Sequence, residues 1–291
     1  MKFGNFDLFQ LNNGLFQLTD TFVEEFAGDG LVTATVSSQA PLRLLIGLNV
    51  VVIRIAQQVV LCDTGIGAKY RHQPCNYPTP TGSAVPIHEQ LKKLQIQPAE
   101  ITHILLTHLH YDHAGGLTCF DQSGNLILTY PQAQVFVQAA EWEAAQQTIG
   151  KDSRGYHADD RSLLTDSPNL NLLNDNETIL PGISVMRTNG HTRGHQIIQI
   201  DAGTGQTAVV LGDLIPTPSF FAHDLNFKYD YDAQQSQIRR KEIIEQALQE
   251  DWLLFFYHAP HVTAGRGQRQ SDHSLRVKKI IADDLLLKYT E

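Results

Sequence analysis

The chain has 291 residues, 42% of them hydrophobic, enough to bury a substantial core in one large α/β domain or two closely packed halves. Its 22 Lys and Arg against 31 Asp and Glu leave a formal charge of −9, which opposes a surface built to track phosphates and favours a small-molecule substrate over nucleic acid. Cys62, Cys75 and Cys119 lack CxxC spacing and read as free thiols, no run approaches the ~20 apolar residues of a membrane span, and the opening MKFGNFDLFQLNNG has no signal-like apolar run, so a cytoplasmic protein with no membrane partner is expected.

Taken in chain order, short runs rich in Val, Ile, Leu and Phe predict strands at Val50 to Ile55 and Val59 to Leu61, followed by a helix at His88 to Gln95. A strand at Thr102 to Leu106, another at Gln134 to Gln138 and a helix at Ala139 to Gln147 come next. Strands at Ile183 to Arg187, Gln196 to Ile200 and Ala208 to Leu211 lead to a helix at Gln235 to Gln249, a strand at Leu253 to Tyr257 and a last helix at Ser274 to Lys288. Strands and helices alternate, yet several strand pairs are close enough to be hairpins, so the expectation is mixed sheets covered by helices. Lys69 to Ile87 and Lys151 to Asn176 read as long loops, each either a solvated connection or a lid over a site.

The run Thr107-His108-Leu109-His110-Tyr111-Asp112-His113-Ala114-Gly115-Gly116 follows directly on the apolar Ile104-Leu105-Leu106. With 13 His in the chain, three at specified places in so short a window arise by chance about once in ten thousand trials. Imidazole nitrogens and carboxylate oxygens are ligands for zinc and similar divalent ions, and a strand running into a turn can gather them around one point. Gly190-His191-Thr192-Arg193-Gly194-His195, Leu211-Gly212-Asp213 and Phe255-Phe256-Tyr257-His258 lie far downstream, each at the end of an apolar run. Strand ends along one sheet edge can converge in space. Seven candidate ligands exceed the four that a closed structural metal needs, which argues for a catalytic pair.

His108-x-His110-x-Asp112-His113, then Gly190-His191-Thr192, Gly212-Asp213 and His258, with Asp63-Thr64-Gly65 ahead of them, resembles the ordered motif set of the metallo-β-lactamase superfamily. The resemblance implies a four-layer αβ/βα sandwich, two mixed sheets with helices outside and the site at one edge between them. It implies a single domain over residues 1–291, in two similar packed halves of roughly 1–178 and 179–291. It also implies two divalent metal ions per chain, zinc first and iron, manganese or cobalt as alternatives. His108, His110 and His191 would hold one metal, Asp112, His113 and His258 the other; Asp213 would bridge them and Asp63 would support the site. THLHYDHAGG with a bridging Asp is most similar to quorum-quenching lactonases and related ester or phosphotriester hydrolases, whose dimers make a homodimer the analogy here. The best-known acyl-homoserine lactonases carry a Tyr three residues after the bridging Asp, where this chain has Pro216.

The chemistry implied is hydrolysis: hydroxide generated between two metals attacks an ester or lactone carbonyl, without a Ser or Cys nucleophile, while Asp112 carries the proton to the leaving group. Phosphotriester or β-lactam hydrolysis on the same site is the alternative. A di-iron oxidoreductase of this fold is disfavoured because His110 stands where those enzymes typically present a carboxylate. Among the remaining residues, His103 and His195 read as core or supporting residues, and His72, His88, His157, His223, His261 and His273 as surface or loop. Gly115, Gly116, Gly190 and Gly194 read as residues permitting tight turns, Phe220, Phe221, Phe255 and Phe256 as core aromatics more than pocket lining, and 239–241 (Arg-Arg-Lys) as a solvated basic helix face.

Overall fold

The computed structural model of the chain describes residues 1–18, 44–71, 80–81, 85–147, 155–227 and 229–280. Its strands are β1 (Lys2–Phe3), β2 (Phe6–Leu18), β3 (Leu44–Ile55), β4 (Gln58–Cys62), β5 (Pro80–Thr81), β6 (His103–Leu105), β7 (Thr118–Phe120), β8 (Leu126–Leu128), β9 (Gln134–Gln138) and β10 (Leu170–Leu173), then β11 (Glu177–Leu180), β12 (Ile183–Arg187), β13 (Gln196–Asp201), β14 (Thr207–Val210), β15 (Leu253–Phe255), β16 (Ala264–Arg269) and β17 (Leu275–Lys279). One sheet runs β1-β2-β3-β4-β6-β9-β10 with β5 paired to β2, a second runs β11 to β17 in order, and β7 and β8 form a separate hairpin. Both large sheets are mixed: β4, β6, β9 and β10 are parallel neighbours in the first, and β14 and β15 in the second.

Two-residue periodicity explains the layering, because each central strand is apolar on both faces. In β3, Val51 and Ile53 join one buried cluster and Val50 and Val52 another. Ile198 and Ile200 of β13, Val210 of β14 and Phe255 of β15 meet Val51, Ile53, Val60 and Leu105 of the first sheet, so this cluster is the layer between the sheets. The outward residues Ile197, Val209 and Leu254 pack with Ile243, Ile244 and Ala247 of the second sheet's helix, and those of the first sheet with Ile87, Leu91 and Trp142. Each fully buried Val, Leu, Ile or Phe among these contributes roughly 1.5–3 kcal/mol of transfer free energy. The result is the αβ/βα sandwich that the motif resemblance implies.

The helices are α1 (Ile87–Gln90), α2 (Tyr111–Ala114), α3 (Ala139–Gln146), α4 (Ala158–Arg161), α5 (Pro218–Ala222) and α6 (Ala233–Gln249). α6 starts where Asp232 accepts the Gln235 N–H at 2.9 Å, and it buries Ser236, Arg240, Ile243, Ile244 and Ala247 at helical spacing. Three expectations change. The expected helix from Ser274 begins instead as β17, whose Leu275 and Val277 turn inward while it pairs with β16; residues 281–288 lie outside the described residues. Arg240 is not on a solvated face: it is buried, donates Nε–H to the Leu214 carbonyl at 2.8 Å, also bonds the Leu225 carbonyl, and lies over the Phe220 ring. The expected loop from Lys151 holds α4, a 3-10 turn and β10, with 151–154 outside the described residues; of the earlier loop, 72–79 and 82–84 are likewise outside, and with them His72 and Cys75.

Candidate metal centre

Strand β6 ends at Leu105, Thr107 is tied to the second sheet through the Gln196 N–H at 2.9 Å, and the chain turns into the one-turn α2 that carries Asp112 and His113. His110 caps that turn, its carbonyl accepting the N–H groups of His113 and Ala114 at 2.9 Å. His191 follows Asn189 and Gly190, both at positive φ, and His258 lies just beyond β15. Asp213 follows Gly212, whose φ of 51° and close approach to His195 Nε2 and Thr107 exclude a side chain. Of the four glycines read as turn formers, Gly190 alone takes positive φ; Gly115, Gly116 and Gly194 leave room for backbone or side chains packed against them.

All seven expected ligands come together. His108 Nε2 is 3.0 Å from His110 Nδ1, which is 3.3 Å from His191 Nε2. Opposite them, His258 Nε2 and His113 Nε2 lie 3.5 and 3.9 Å from Asp112 Oδ2. Asp213 stands between: Oδ2 is 3.3 Å from His191 Nε2, while Oδ1 is 3.3 Å from both His113 Nε2 and His258 Nε2. His108, His110 and His191 form one group able to hold a cation and Asp112, His113 and His258 another; His108, His113 and Asp213 span the two. The arrangement fits divalent ions: His113 Nε2 and Asp213 Oδ1 are buried and lack hydrogen-bond partners although they face each other, and the donor set is imidazole and carboxylate with no thiolate.

In His113, His191 and His258 the other ring nitrogen is held from behind, which fixes which nitrogen faces the centre. His113 Nδ1–H points to Asp63 Oδ2, His191 Nδ1–H to Asp230 Oδ1 and His258 Nδ1–H to the Gly47 carbonyl, each at 2.9 Å. Asp63, at a φ of 63°, also accepts the Thr107 N–H at 2.7 Å. His195 accepts the Asp213 N–H at Nε2, 3.0 Å, and donates from Nδ1 to Thr188 Oγ1 at 2.7 Å. Burial, reinforced by neighbouring imidazoles, holds His108 and His110 well below the ordinary histidine range, as neutral ligands must be. Burial also pulls on His113, but Asp213, Asp112 and Asp63 together outweigh it and hold its pKa well above the ordinary value. For Asp213 burial is outweighed in turn by His258, His113 and His191, which hold the carboxyl well below its usual range.

Several supports were not legible in the sequence. Asp230 lies in an irregular polar stretch with no spacing to mark it. Tyr257 stacks on His113 with ring centroids 3.8 Å apart and donates its hydroxyl to the Asp112 carbonyl at 2.5 Å. Tyr156 lies over His110, 5.1 Å between rings, and His157, expected at the surface or in a loop, lies in the loop before α4, half-buried between Tyr70 and Tyr111. The partly exposed Tyr229 packs edge-on to His191 and stacks on Phe227; burial and the facing carboxylates of Asp213, Asp112 and Asp230 push its phenol well above the usual tyrosine range. Glu141 left one faint signal, a carboxylate in phase with the buried face of α3.

The metallo-beta-lactamase superfamily model matches residues 46–268. An N-acyl homoserine lactonase from a Bacillus species is 30% identical over 172 residues, 58% of this chain and 60% of that protein; a protein described as a probable metallo-hydrolase from Mycobacterium tuberculosis is 27% identical over 53% of each chain. The chain thus aligns with about 60% of the length of the first of these relatives. Among solved structures, a probable metal-dependent hydrolase from Staphylococcus aureus superposes with a TM-score of 0.73 at 22% identity, covering 97% of this chain and 100% of that one. A dizinc quorum-quenching lactonase in complex with its product gives 0.75 at 20% identity and 97% of each chain. These two likenesses concern the fold.

Proposed function

Because the chain belongs to the metallo-beta-lactamase superfamily, we propose that it is a two-metal hydrolase, most suited to zinc, acting on an ester or lactone. The observation that carries this reading is Asp213, whose two carboxylate oxygens face separate histidine sets at 3.3 Å, the disposition of a bridge between two cations. His108, His110 and His191 would hold one ion, and Asp112, His113 and His258 the other. Two such ions supply Lewis acidity and hydroxide at neutral pH. The relatives named as N-acyl homoserine lactonases support the lactone over other acyl compounds.

Asp112 has a side chain 14% exposed, the most open of the seven, so it can pass a proton between the site and a departing alkoxide. Tyr229, whose ring packs edge-on to His191 with centroids 5.7 Å apart, is the residue we propose to donate its phenol to the substrate carbonyl oxygen, a donor that Pro216 does not supply. The test is turnover of acyl-homoserine lactones, aryl esters, a phosphotriester and a chromogenic β-lactam by metal-analysed protein, with His110→Ala as control. Lactone or ester hydrolysis lost in the control supports the reading, and so does Asp112→Asn protein that keeps its metal while turnover falls about 100-fold. Hydrolysis confined to the phosphotriester or the β-lactam would replace the substrate class, and stoichiometric iron with a redox-active spectrum would overturn hydrolysis.

A further inference from the structure

Glu141, on α3, is completely buried, a costly place for a carboxylate that a hydrocarbon side chain would fill more cheaply. What the carboxylate adds is direction. Oε1 accepts the Leu109 N–H at 2.9 Å, between His108 and His110, and also the Tyr156 hydroxyl at 3.0 Å. Oε2 accepts the Gly194 N–H at 3.0 Å, three residues beyond His191. Gly194 is small for the same reason, since a Cβ there would overlap the Glu141 backbone. One side chain therefore clasps the two loops that carry His108, His110 and His191, and steadies the tyrosine ring lying over His110.

The other three ligands are supported elsewhere. His113 leans on Asp63, His258 on the Gly47 carbonyl, and the Asp112 backbone on Tyr257. None of these contacts passes through Glu141. We propose that Glu141 is a positioning residue for the first of the two metals alone, setting the separation of the 108–110 loop from the 191–194 loop so that three imidazoles meet at one point. This rests on the two-metal reading of the site. Supports of this kind, behind the ligands themselves, commonly change metal affinity by about 10- to 100-fold.

The test reads metal binding rather than turnover, by competition titration against a chromophoric chelator with zinc as the probe. It places Glu141→Gln, which keeps the side-chain volume but removes the charge and replaces one acceptor by a donor, in two single-site backgrounds. In His258→Ala, where tight binding depends on the first set, the Glu141 change is expected to weaken zinc about 10- to 100-fold; in His110→Ala, where it depends on the second set, zinc affinity should stay within about twofold. Equal weakening in both backgrounds, or none in either, would overturn the proposal, the first by showing a general effect on folding and the second by showing no effect on the site. Should the Glu141 variants fail to fold, Tyr156→Phe removes one of its donors alone and must show the same asymmetry at smaller size. Wild-type protein that binds fewer than two zinc ions per chain would overturn the two-metal reading itself, an outcome separate from either.

Discussion

Protonating His195 would cost the site an anchor, because its Nε2 accepts the Asp213 N–H at 3.0 Å and an imidazolium has no acceptor. Burial, with His191 adding to it, holds His195 well below the ordinary value of 6.5. A histidine whose folded pKa is depressed contributes stability that is present above its unfolded value and lost as pH falls through the folded one. Metal-free protein should therefore lose melting temperature below about pH 6.5, more steeply than a His195→Gln variant does, which a thermal scan across pH 4.5 to 8 would read. Tyr229 calls for a different readout. Tyr229→Phe keeps the stack on Phe227, so a packing role predicts unchanged kinetics, whereas a hydrogen bond to the substrate predicts about a 10- to 100-fold fall in kcat/KM with metal content intact.

Between elements, the site depends on how β3 grips the segment after β15. Asn49 Nδ2 donates to the carbonyls of Phe256, Tyr257 and Ala259 at 3.1, 2.9 and 2.8 Å, and its Oδ1 accepts from Asn12 at 2.7 Å. These contacts hold the backbone on both sides of His258. Asn49→Ala leaves those buried carbonyls without their side-chain amide donor and should destabilise the fold by about 1–3 kcal/mol, measured by denaturant unfolding, with weaker binding of the metal proposed at His258. The same scale explains β17. Its Lys- and Arg-rich sequence satisfies a helical pattern as well as an alternating one, and the free hydrogen-bonding edge of β16 decided between them.

For the whole molecule, the layer between the sheets is built from both ends of the chain, Leu8 and Val51 against Val185, Ile198 and Phe255, so neither half has a complete core without the other. A single calorimetric transition is expected rather than two. Metal should raise it, because the proposed ligands His108 and His191 come from different sheets' edges and converge only in the folded chain. With free zinc 1,000-fold above its dissociation constant, one site adds about 4 kcal/mol; stripping with a chelator should lower the midpoint accordingly, and re-addition should restore it. Among the described residues no helix is long and apolar enough to cross a membrane.

The candidate ligands of the 108–113 run were legible because a compact H-x-H-x-D-H pattern needs no tertiary information: six consecutive residues fix three imidazoles and a carboxylate near one turn. The central strands were legible for a related reason, since burial on both faces forces unbroken runs of Val, Ile and Leu. The supporting residues were not. Asp230, Tyr257, Asn49 and Glu141 are ordinary residues in sequence, and each acquires its role only by meeting a group 39, 145, 207 or 32 positions away. By itself the sequence determined which atoms can bind metal and which strands must be buried, because those follow from side-chain chemistry and local periodicity. The tertiary structure alone decided which nitrogen of His113, His191 and His258 faces the centre and whether Asp63, Asp230 or the Gly47 carbonyl stands behind it, because hydrogen bonds between distant segments exist only once the two sheets have closed on each other.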